Sequence, residues 1–263
     1  MGGFNNPTID ALAANLDHVW TLDETSGNRA DSAGSTTLTD YNTTGYQAGK
    51  DGNAADFEKG NNERLESSSG ADLTRNKTVI IVSMWVQFES TNAVGFLSYE
   101  EDDASNWRWC VYRDTAAKLR IYYYDGTSRN ATSSNTVSTS TWYHITAMAD
   151  STNNELRIRV NGTDYINDTG QTFGASVDTQ SSRGFTLGDI AGHTSNYDHD
   201  GLMDEVYLWT GAAPANFANF ADALYNSGNG VFYDPDFEPS EGAQFGAFHH
   251  QMFATPYQQG MWR

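Results

Sequence analysis

The chain has 263 residues, of which 38% are hydrophobic and 13% aromatic, and its formal net charge at pH 7 is −19. This length suffices for one large domain with a sizeable core, and such an aromatic content is atypical of a disordered chain. The negative charge disfavours nucleic acid and anionic membranes as partners and favours cations. The alternative interpretation is a solvated acidic surface with no specific ligand.

The N-terminus and the single cysteine give expectations about location and redox state. Residues 1–7 have no basic region and no apolar run follows them, which is unlike a signal peptide. We therefore expect synthesis in the cytoplasm, followed by release on lysis or on a particle such as a virion. The most apolar stretch, Val79 to Phe88, is too short to span a bilayer, so we expect no membrane insertion. Cys110 cannot form an internal disulfide and is predicted to be a buried strand residue.

The first elements are a short helix and a strand. Apolar residues at helical spacing from 9 to 16, after Pro7, predict the helix. A strand from Val19 to Leu22 follows, and Asp23 to Gly34 is a long polar turn.

Alternating apolar and polar residues predict most of the remaining strands. In Val79 to Phe88 every second residue from Ile80 faces one side, as in a central strand. Asp125-Gly126 and Asn161-Gly162 are hairpin turns by composition. The other predicted strands are Leu119 to Tyr124, Trp142 to Ala149, Leu156 to Val160, Thr163 to Tyr165, Phe185 to Leu187 and Leu202 to Trp209.

One late helix is predicted between Pro214 and Gly228, with an apolar stripe running from Phe217 to Tyr225. Many strands and only two short helices predict an all-β fold of two antiparallel sheets packed face to face. We divide the chain into an N-terminal lead-in (1–18), a sandwich domain (19–230) and an extended C-terminal tail (231–263).

The tail is rich in aromatic residues and has little periodicity, and its prolines favour an extended path. Exposed aromatic residues would be costly, so the tail either covers its own domain or reaches a partner subunit. We favour the partner. The residues predicted to contact it are Phe237, Phe245, Phe248, Phe253, Tyr257 and Trp262.

Six groups of residues, in one order along the chain, resemble the laminin-G-like family of concanavalin A-like jelly-roll domains. The resemblance implies a jelly-roll sandwich with short peripheral helices. The groups are Trp20 to Gly34, Gly49 to Phe57, Val82 to Val86, Trp142 to Ile145 with Val160 to Gly162, Leu187 to Trp209, and Leu224 to Gly228.

The resemblance also implies a calcium site where the opening turn meets the strand that carries an Asp-Glu pair. Its ligands would be Asp23, Glu24 and Asp204. Calcium prefers carboxylate and carbonyl oxygens, which this turn supplies. The alternative is that these acids only cap turns. Zinc is disfavoured, since His199 and its neighbours are predicted to be surface loop residues.

Aromatic side chains on strands and loops are candidate sugar platforms, and Trp107, Tyr123 and Tyr197 are the predicted ligand-binding residues. Sandwich-fold glucanases carry acids on alternate residues of one strand. No such pattern occurs here, and Asp204 and Glu205, as neighbours on a strand, are expected to face opposite ways. The chain is therefore predicted not to be an enzyme.

The first functional hypothesis is a non-enzymatic component of a larger assembly, such as a virion decoration or fibre protein, which contacts other subunits through its tail. The alternative is a carbohydrate-binding module or adhesin that acts through a sheet face or the calcium rim. A polysaccharide-cleaving enzyme is the least favoured, and release of reducing sugar would test it.

Overall fold

The computed structural model describes residues 3–4, 9, 15–68, 73–74, 77–91, 95–101, 107–174, 184–189 and 197–236. The described residues form two large antiparallel sheets packed face to face, as the sequence predicted, and the later of the two predicted short helices is described along its length. Of the seven strands predicted from Val79 onward, six are confirmed to within one residue at both ends, and the seventh, predicted from Thr163 to Tyr165, extends to Asp168.

The first sheet has seven strands in the order β11-β10-β9-β8-β15-β6-β3. Its strands are β3 (Thr39–Tyr41), β6 (Arg64–Glu66), β8 (Gly95–Glu101), β9 (Trp107–Arg113), β10 (Lys118–Tyr124), β11 (Ser128–Thr136) and β15 (Thr186–Gly188).

The second sheet has eight strands. Seven follow the order β14-β13-β12-β7-β16-β5-β4, and β2 also pairs with β16. Its strands are β2 (Leu16–Trp20), β4 (Gly45–Ala48), β5 (Asn53–Phe57), β7 (Val79–Phe88), β12 (Trp142–Asp150), β13 (Glu155–Val160), β14 (Thr163–Asp168) and β16 (Gly201–Trp209).

The main core lies between the two sheets. Met84 and Val86 of β7 and Ile158 and Val160 of β13 are buried in it, as alternation predicted. Cys110 is also fully buried, and burial raises the pKa of its thiol, which keeps it protonated.

The outer face of the eight-stranded sheet is covered as well. Helix α1 (Phe217–Tyr225) packs its apolar stripe against a second cluster that includes Ile81 and Trp209. Asn216 caps the helix by accepting a 3.0 Å hydrogen bond from the amide of Asn219. Both predicted helix ends are therefore corrected. Asn216, not Pro214, caps the start of the helix, and Asn226, in the left-handed backbone conformation, ends it before Gly228.

An arginine clamp fixes this helix to the sheet. Nε and Nη2 of Arg159 each donate a 2.7 Å hydrogen bond to Asp222 on the helix, and Nη1 donates one to Asp164 on β14. These bonds favour the charged guanidinium and raise its pKa.

The two ends of the chain differ from expectation where the structure describes them. Ile9 is helical, as predicted, but Leu16 belongs to β2, while residues 10–14 of the predicted helix lie outside the described part. Strands β1 (Gly3–Phe4) and β17 (Tyr233–Asp234) pair with each other, and the rings of Phe4 and Tyr233 meet edge to face at 5.6 Å. The first residues of the predicted tail thus pack on their own domain. All six predicted partner contacts, from Phe237 to Trp262, lie outside the described residues.

Candidate functional site

A gap along one edge of β16 positions the first candidate site. This edge pairs with β5 through Gly201–Met203 and with β2 through Val206–Trp209. Asp204 and Glu205 lie between the two pairings. The site therefore forms where β2 has ended and β5 has not yet begun.

A β-bulge sets the direction of the two acids. On the other edge of β16, Glu205 and Val206 stand opposite a single residue of β7, and Glu205 has a φ of 53°. A non-glycine residue in this left-handed region is strained and often marks a functional site.

The prediction that Asp204 and Glu205 face opposite ways is wrong, because the bulge breaks the alternation. Met203 and Val206, on either side of the pair, both belong to the inner core. The hydroxyl of Tyr207, which belongs to the outer cluster, donates a hydrogen bond to Glu205. Both carboxylates are thus directed away from the inner core and are nearly fully buried.

The turn from Gly49 to Asn53 cradles Asp204. Its Oδ2 accepts hydrogen bonds from the amides of Lys50 (2.6 Å) and Asp51 (3.1 Å), while its buried Oδ1 has no hydrogen-bond partner. A Cβ at Gly49 would lie 2.4 Å from Oδ2, so only glycine allows this close approach.

The same turn also holds Asp23, one of the calcium ligands that the family resemblance implied. Oδ1 of Asp23 accepts a 2.8 Å hydrogen bond from the amide of Asn53, and its carbonyl accepts one of 2.9 Å from the Asn53 side chain. A Cβ at Gly52, whose φ is 55°, would come within 2.1 Å of that Oδ1. Asp23, Asp51, Asp204 and Glu205 together are called the gap site below.

Burial and mutual repulsion perturb the two buried acids strongly. Desolvation raises the pKa of Asp204 to about 7, against the pull of amide hydrogen bonds, and nearby Asp23 adds repulsion. Desolvation likewise raises the pKa of Glu205 to about 9, and Asp204, Asp51 and Asp23 add to the shift. Carboxylate oxygens are the donors that a hard divalent cation prefers, and the buried, unpartnered Oδ1 of Asp204 is one such oxygen.

The structure does not bring Glu24 to this site. Its Oε1 accepts a 2.7 Å hydrogen bond from the amide of Ala30, and its Oε2 lies 4.0 Å from Nε of buried Arg29. Glu24 therefore holds its own turn, and Asp51 and Glu205, which the sequence prediction omitted, stand beside Asp23 and Asp204 instead. A bulge in a strand leaves no pattern in sequence that would have identified Glu205.

A second candidate surface lies on the outer face of the seven-stranded sheet, on which no helix of the described residues packs. Arg120 on β10 stands opposite Tyr112 on β9 and donates a 3.2 Å hydrogen bond to its hydroxyl. Tyr122 and Tyr124 follow on the same face of β10, and all four side chains are half-buried. Tyr112, Arg120, Tyr122 and Tyr124 are called the tyrosine face below.

Of the three predicted ligand-binding residues, the structure describes the side chains of Tyr123 and Tyr197. Tyr123 is only 1% exposed, because its side chain points into the core between Tyr122 and Tyr124, and its hydroxyl donates to the carbonyl of Lys77. Its ring is therefore not accessible to a sugar, whereas Tyr122 and Tyr124 are half-buried on the other face of the strand. Trp107 begins β9, with its side chain outside the described part, and Tyr197 is half-buried before β16.

One further expectation about exposure is corrected. His199 is buried between the rings of Phe57 and Phe88 and is not a surface histidine. Desolvation lowers its pKa to about 4. Tyr41 and Tyr46, which the sequence analysis did not select, are 39% and 50% exposed at the sheet edges.

Comparison with known proteins places the sandwich among lectin-like folds. The family model of the concanavalin A-like lectin/glucanases superfamily matches residues 59–216, more than half of the chain, including Asp204 and the tyrosine face. No protein of curated function matches the sequence.

Solved structures share the fold at low sequence identity. Domain 4 of AbnA, a GH43 extracellular arabinanase from Geobacillus stearothermophilus in complex with arabinotriose, has a TM-score of 0.59 and 20% identity, covering 79% of this chain and 98% of that one. A structure of botulinum neurotoxin type C, whose cell entry is described as dependent on interaction with two ganglioside molecules, has a TM-score of 0.62 and 10% identity. The match covers 83% of this chain and 53% of that one. Trypanosoma rangeli sialidase has a TM-score of 0.60 and 10% identity, and the match covers 82% of this chain and 33% of that one.

No helix among the described residues is long and apolar enough to cross a membrane.

Proposed function

The chain belongs to the concanavalin A-like lectin/glucanases superfamily, and on that premise we propose that it is a non-enzymatic, calcium-dependent carbohydrate-binding protein. The observation that carries the proposal is the gap site, where buried Asp204 shares a glycine-lined turn with Asp23 and buried Glu205 follows Asp204 in sequence, both buried acids having raised pKa values. A cation there would neutralise these acids and fix the loops around them.

The tyrosine face supplies the chemistry that a sugar requires. Aromatic rings pack against the C–H faces of sugar rings, and the guanidinium of Arg120 can donate several hydrogen bonds to hydroxyl groups. Arg120 is already oriented by Thr132, to whose Oγ1 it donates a 2.8 Å bond, and the hydroxyl groups of Tyr122 and Ser128 share a bond of 2.8 Å. An oriented polar group beside rigid rings binds with a smaller loss of side-chain entropy.

We expect the purified chain to bind a subset of a glycan array in calcium, and the double variant R120A/Y122A to lose that binding. Each removed contact is worth about 1–3 kcal/mol, so the double variant should bind at least about tenfold more weakly. Titration calorimetry with the best array ligand would measure the loss.

The matched control is Tyr46→Ala, which removes an exposed ring from an edge strand of the other sheet and should leave affinity unchanged. Equal binding by R120A/Y122A and the unmodified chain would reject the tyrosine face. Release of reducing sugar from the bound glycan would reject the non-enzymatic assignment.

The second candidate function is a structural component of a larger assembly, such as a virion. The supporting observation is the concentration of aromatic residues from 237 to 263. We expect a chain that ends at Asp236 to keep the melting temperature of the full chain, because β17 and its pairing with β1 are retained, and to lose self-association or attachment in sedimentation. Unchanged sedimentation would remove the support for this function.

A further inference from the structure

A second group of acids lies at the other end of the pairing between β5 and β16. Phe57 of β5 and Phe88 of β7 both stand opposite Gly201 and point into the core. Their neighbours Asp56, Glu58 and Glu89 therefore point to the outer side of the same three strands. These three residues are called the strand-end acids below.

The spacing of the strand-end acids suits a common cation. One carboxylate oxygen from each lies within 4.8 Å of the oxygens of the other two. Two oxygens that bind the same calcium ion at about 2.3–2.6 Å can be at most about 5 Å apart. The three residues can therefore reach one ion without movement of the backbone.

The Asp56 carboxylate supplies an independent indication of a ligand. Asp56 is half-buried, and its Oδ2 accepts a 2.9 Å hydrogen bond from the side chain of Gln47 on β4. Its other oxygen, Oδ1, is inaccessible to solvent and has no hydrogen-bond partner. A buried carboxylate oxygen without a partner is costly, and a bound cation removes that cost.

The three strand-end acids repel one another. Among the described residues, none of the three forms a salt bridge with a basic side chain that would offset this repulsion. Desolvation raises the pKa of Glu89, and Asp56, Glu58 and Asp200 add repulsion. Desolvation also raises the pKa of the buried Glu63, and repulsion from Glu58 and Asp56 adds to this shift. Like charges placed side by side on a sheet are destabilising.

We propose that Asp56, Glu58 and Glu89 form a second binding site for a hard divalent cation, separate from the gap site and independent of the proposed function. The donor atoms are all carboxylate oxygens, which favours calcium over zinc or copper. Asp200, whose carbonyl accepts a 2.8 Å hydrogen bond from the amide of Glu89, stands next to the site. A cation here would link β5 to β7 across β16 and stabilise this end of the sheet.

The test is calcium binding to the full chain by equilibrium dialysis after removal of metal by chelation. The unmodified chain should bind two ions, while E58Q/E89Q and D204N should bind one each. The control D234N/D236N changes two exposed acids outside both sites and should bind two ions. In chelator, E58Q/E89Q should melt above the unmodified chain, because the repulsion is gone, and calcium should raise its melting temperature less.

The outcomes separate this site from the gap site. If E58Q/E89Q binds as many ions as the unmodified chain with the same affinity, the strand-end acids are a solvated surface and the proposal is overturned. If D204N keeps both ions while E58Q/E89Q loses one, this proposal stands and the gap-site cation fails. Repeating the dialysis with magnesium alone shows whether the site discriminates between the two cations. The proposal expects magnesium to bind more weakly than calcium, because magnesium demands an octahedral set of ligands that these three residues do not provide.

Discussion

Asp204→Asn is expected to abolish the thermal stabilisation that calcium gives through the gap site. A ligand that binds only the folded chain at 100 times its Kd stabilises it by about 2.7 kcal/mol, or about 5–10 °C in a domain of this size. Asparagine keeps an oxygen that can accept the amide hydrogen bonds of Lys50 and Asp51, so the fold should survive. It lacks the negative charge that calcium requires.

The sign of the effect should depend on the metal. In calcium, D204N should melt below the unmodified chain. In chelator at pH 8 it should melt at the same temperature or above, because the variant no longer buries a charge whose pKa desolvation has raised. Thermal melts in both buffers measure the difference, with Asp236→Asn, an exposed acid outside both sites, as the matched control. If calcium raises the melting temperatures of D204N and the unmodified chain equally, Asp204 is a structural acid that holds the turn.

The strands were predictable because alternation and hairpin turns are local signals. In β10 every second residue is buried, as the pattern from Leu119 to Tyr124 required, and the Asp125-Gly126 turn leads into β11. The same alternation places Tyr123 on the buried face of β10, and applying it would have excluded Tyr123 from the predicted ligand-binding residues. The error lay in choosing one residue from a run of three tyrosines without applying the period-two alternation to it.

The gap site was predictable only in part, because it depends on contacts that are distant in sequence. The family resemblance, which carries long-range information, implied that Asp23 and Asp204 lie close together, and the structure brings them together. Glu205 was missed because the direction of its side chain depends on a β-bulge. Asp51 was missed because its turn reaches the site only through the close approach of Gly49 and Gly52 to carboxylate oxygens, which the sequence does not show. The helix ends were misplaced for a related reason: Asn216 and Asn226 provide caps that the sequence signals of proline and glycine obscured.

The second large effect is a fall in stability of the metal-free chain as the pH rises from about 6.5 to 9. The folded-state pKa values of Asp204 and Glu205, about 7 and about 9, lie above their ordinary values of 3.8 and 4.5. The folded chain therefore holds more protons than the unfolded chain, and this stabilisation is full below about pH 4 and is lost as the pH rises through 7 and 9. Each proton held only by the folded state changes stability by about 1.4 kcal/mol per pH unit, so the loss is on the order of a few kcal/mol.

Buried histidines set the lower limit of this pH window. Desolvation lowers the pKa of His144 to about 3 and that of His199 to about 4. Their contribution to stability is present above about pH 6.5 and is lost as the pH falls toward these values. Above about pH 7.5 both histidines are neutral in the folded and the unfolded chain, so they add little to the slope there.

Calcium should reverse the slope, since the metal binds the ionised carboxylates and must displace their protons. We expect the melting temperature to fall between pH 6.5 and 9 in chelator and to stay level or rise in calcium. Calorimetric titrations at pH 7 in two buffers of different ionisation enthalpy should show one to two protons released for the ion bound at the gap site. The double variant D204N/E205Q should have a flatter profile in chelator and release fewer protons, whereas D234N/D236N should match the unmodified chain. A profile in chelator that is the same for D204N/E205Q and the unmodified chain would mean that neither acid holds an extra proton in the folded state, and the electrostatic basis of the gap site would be lost.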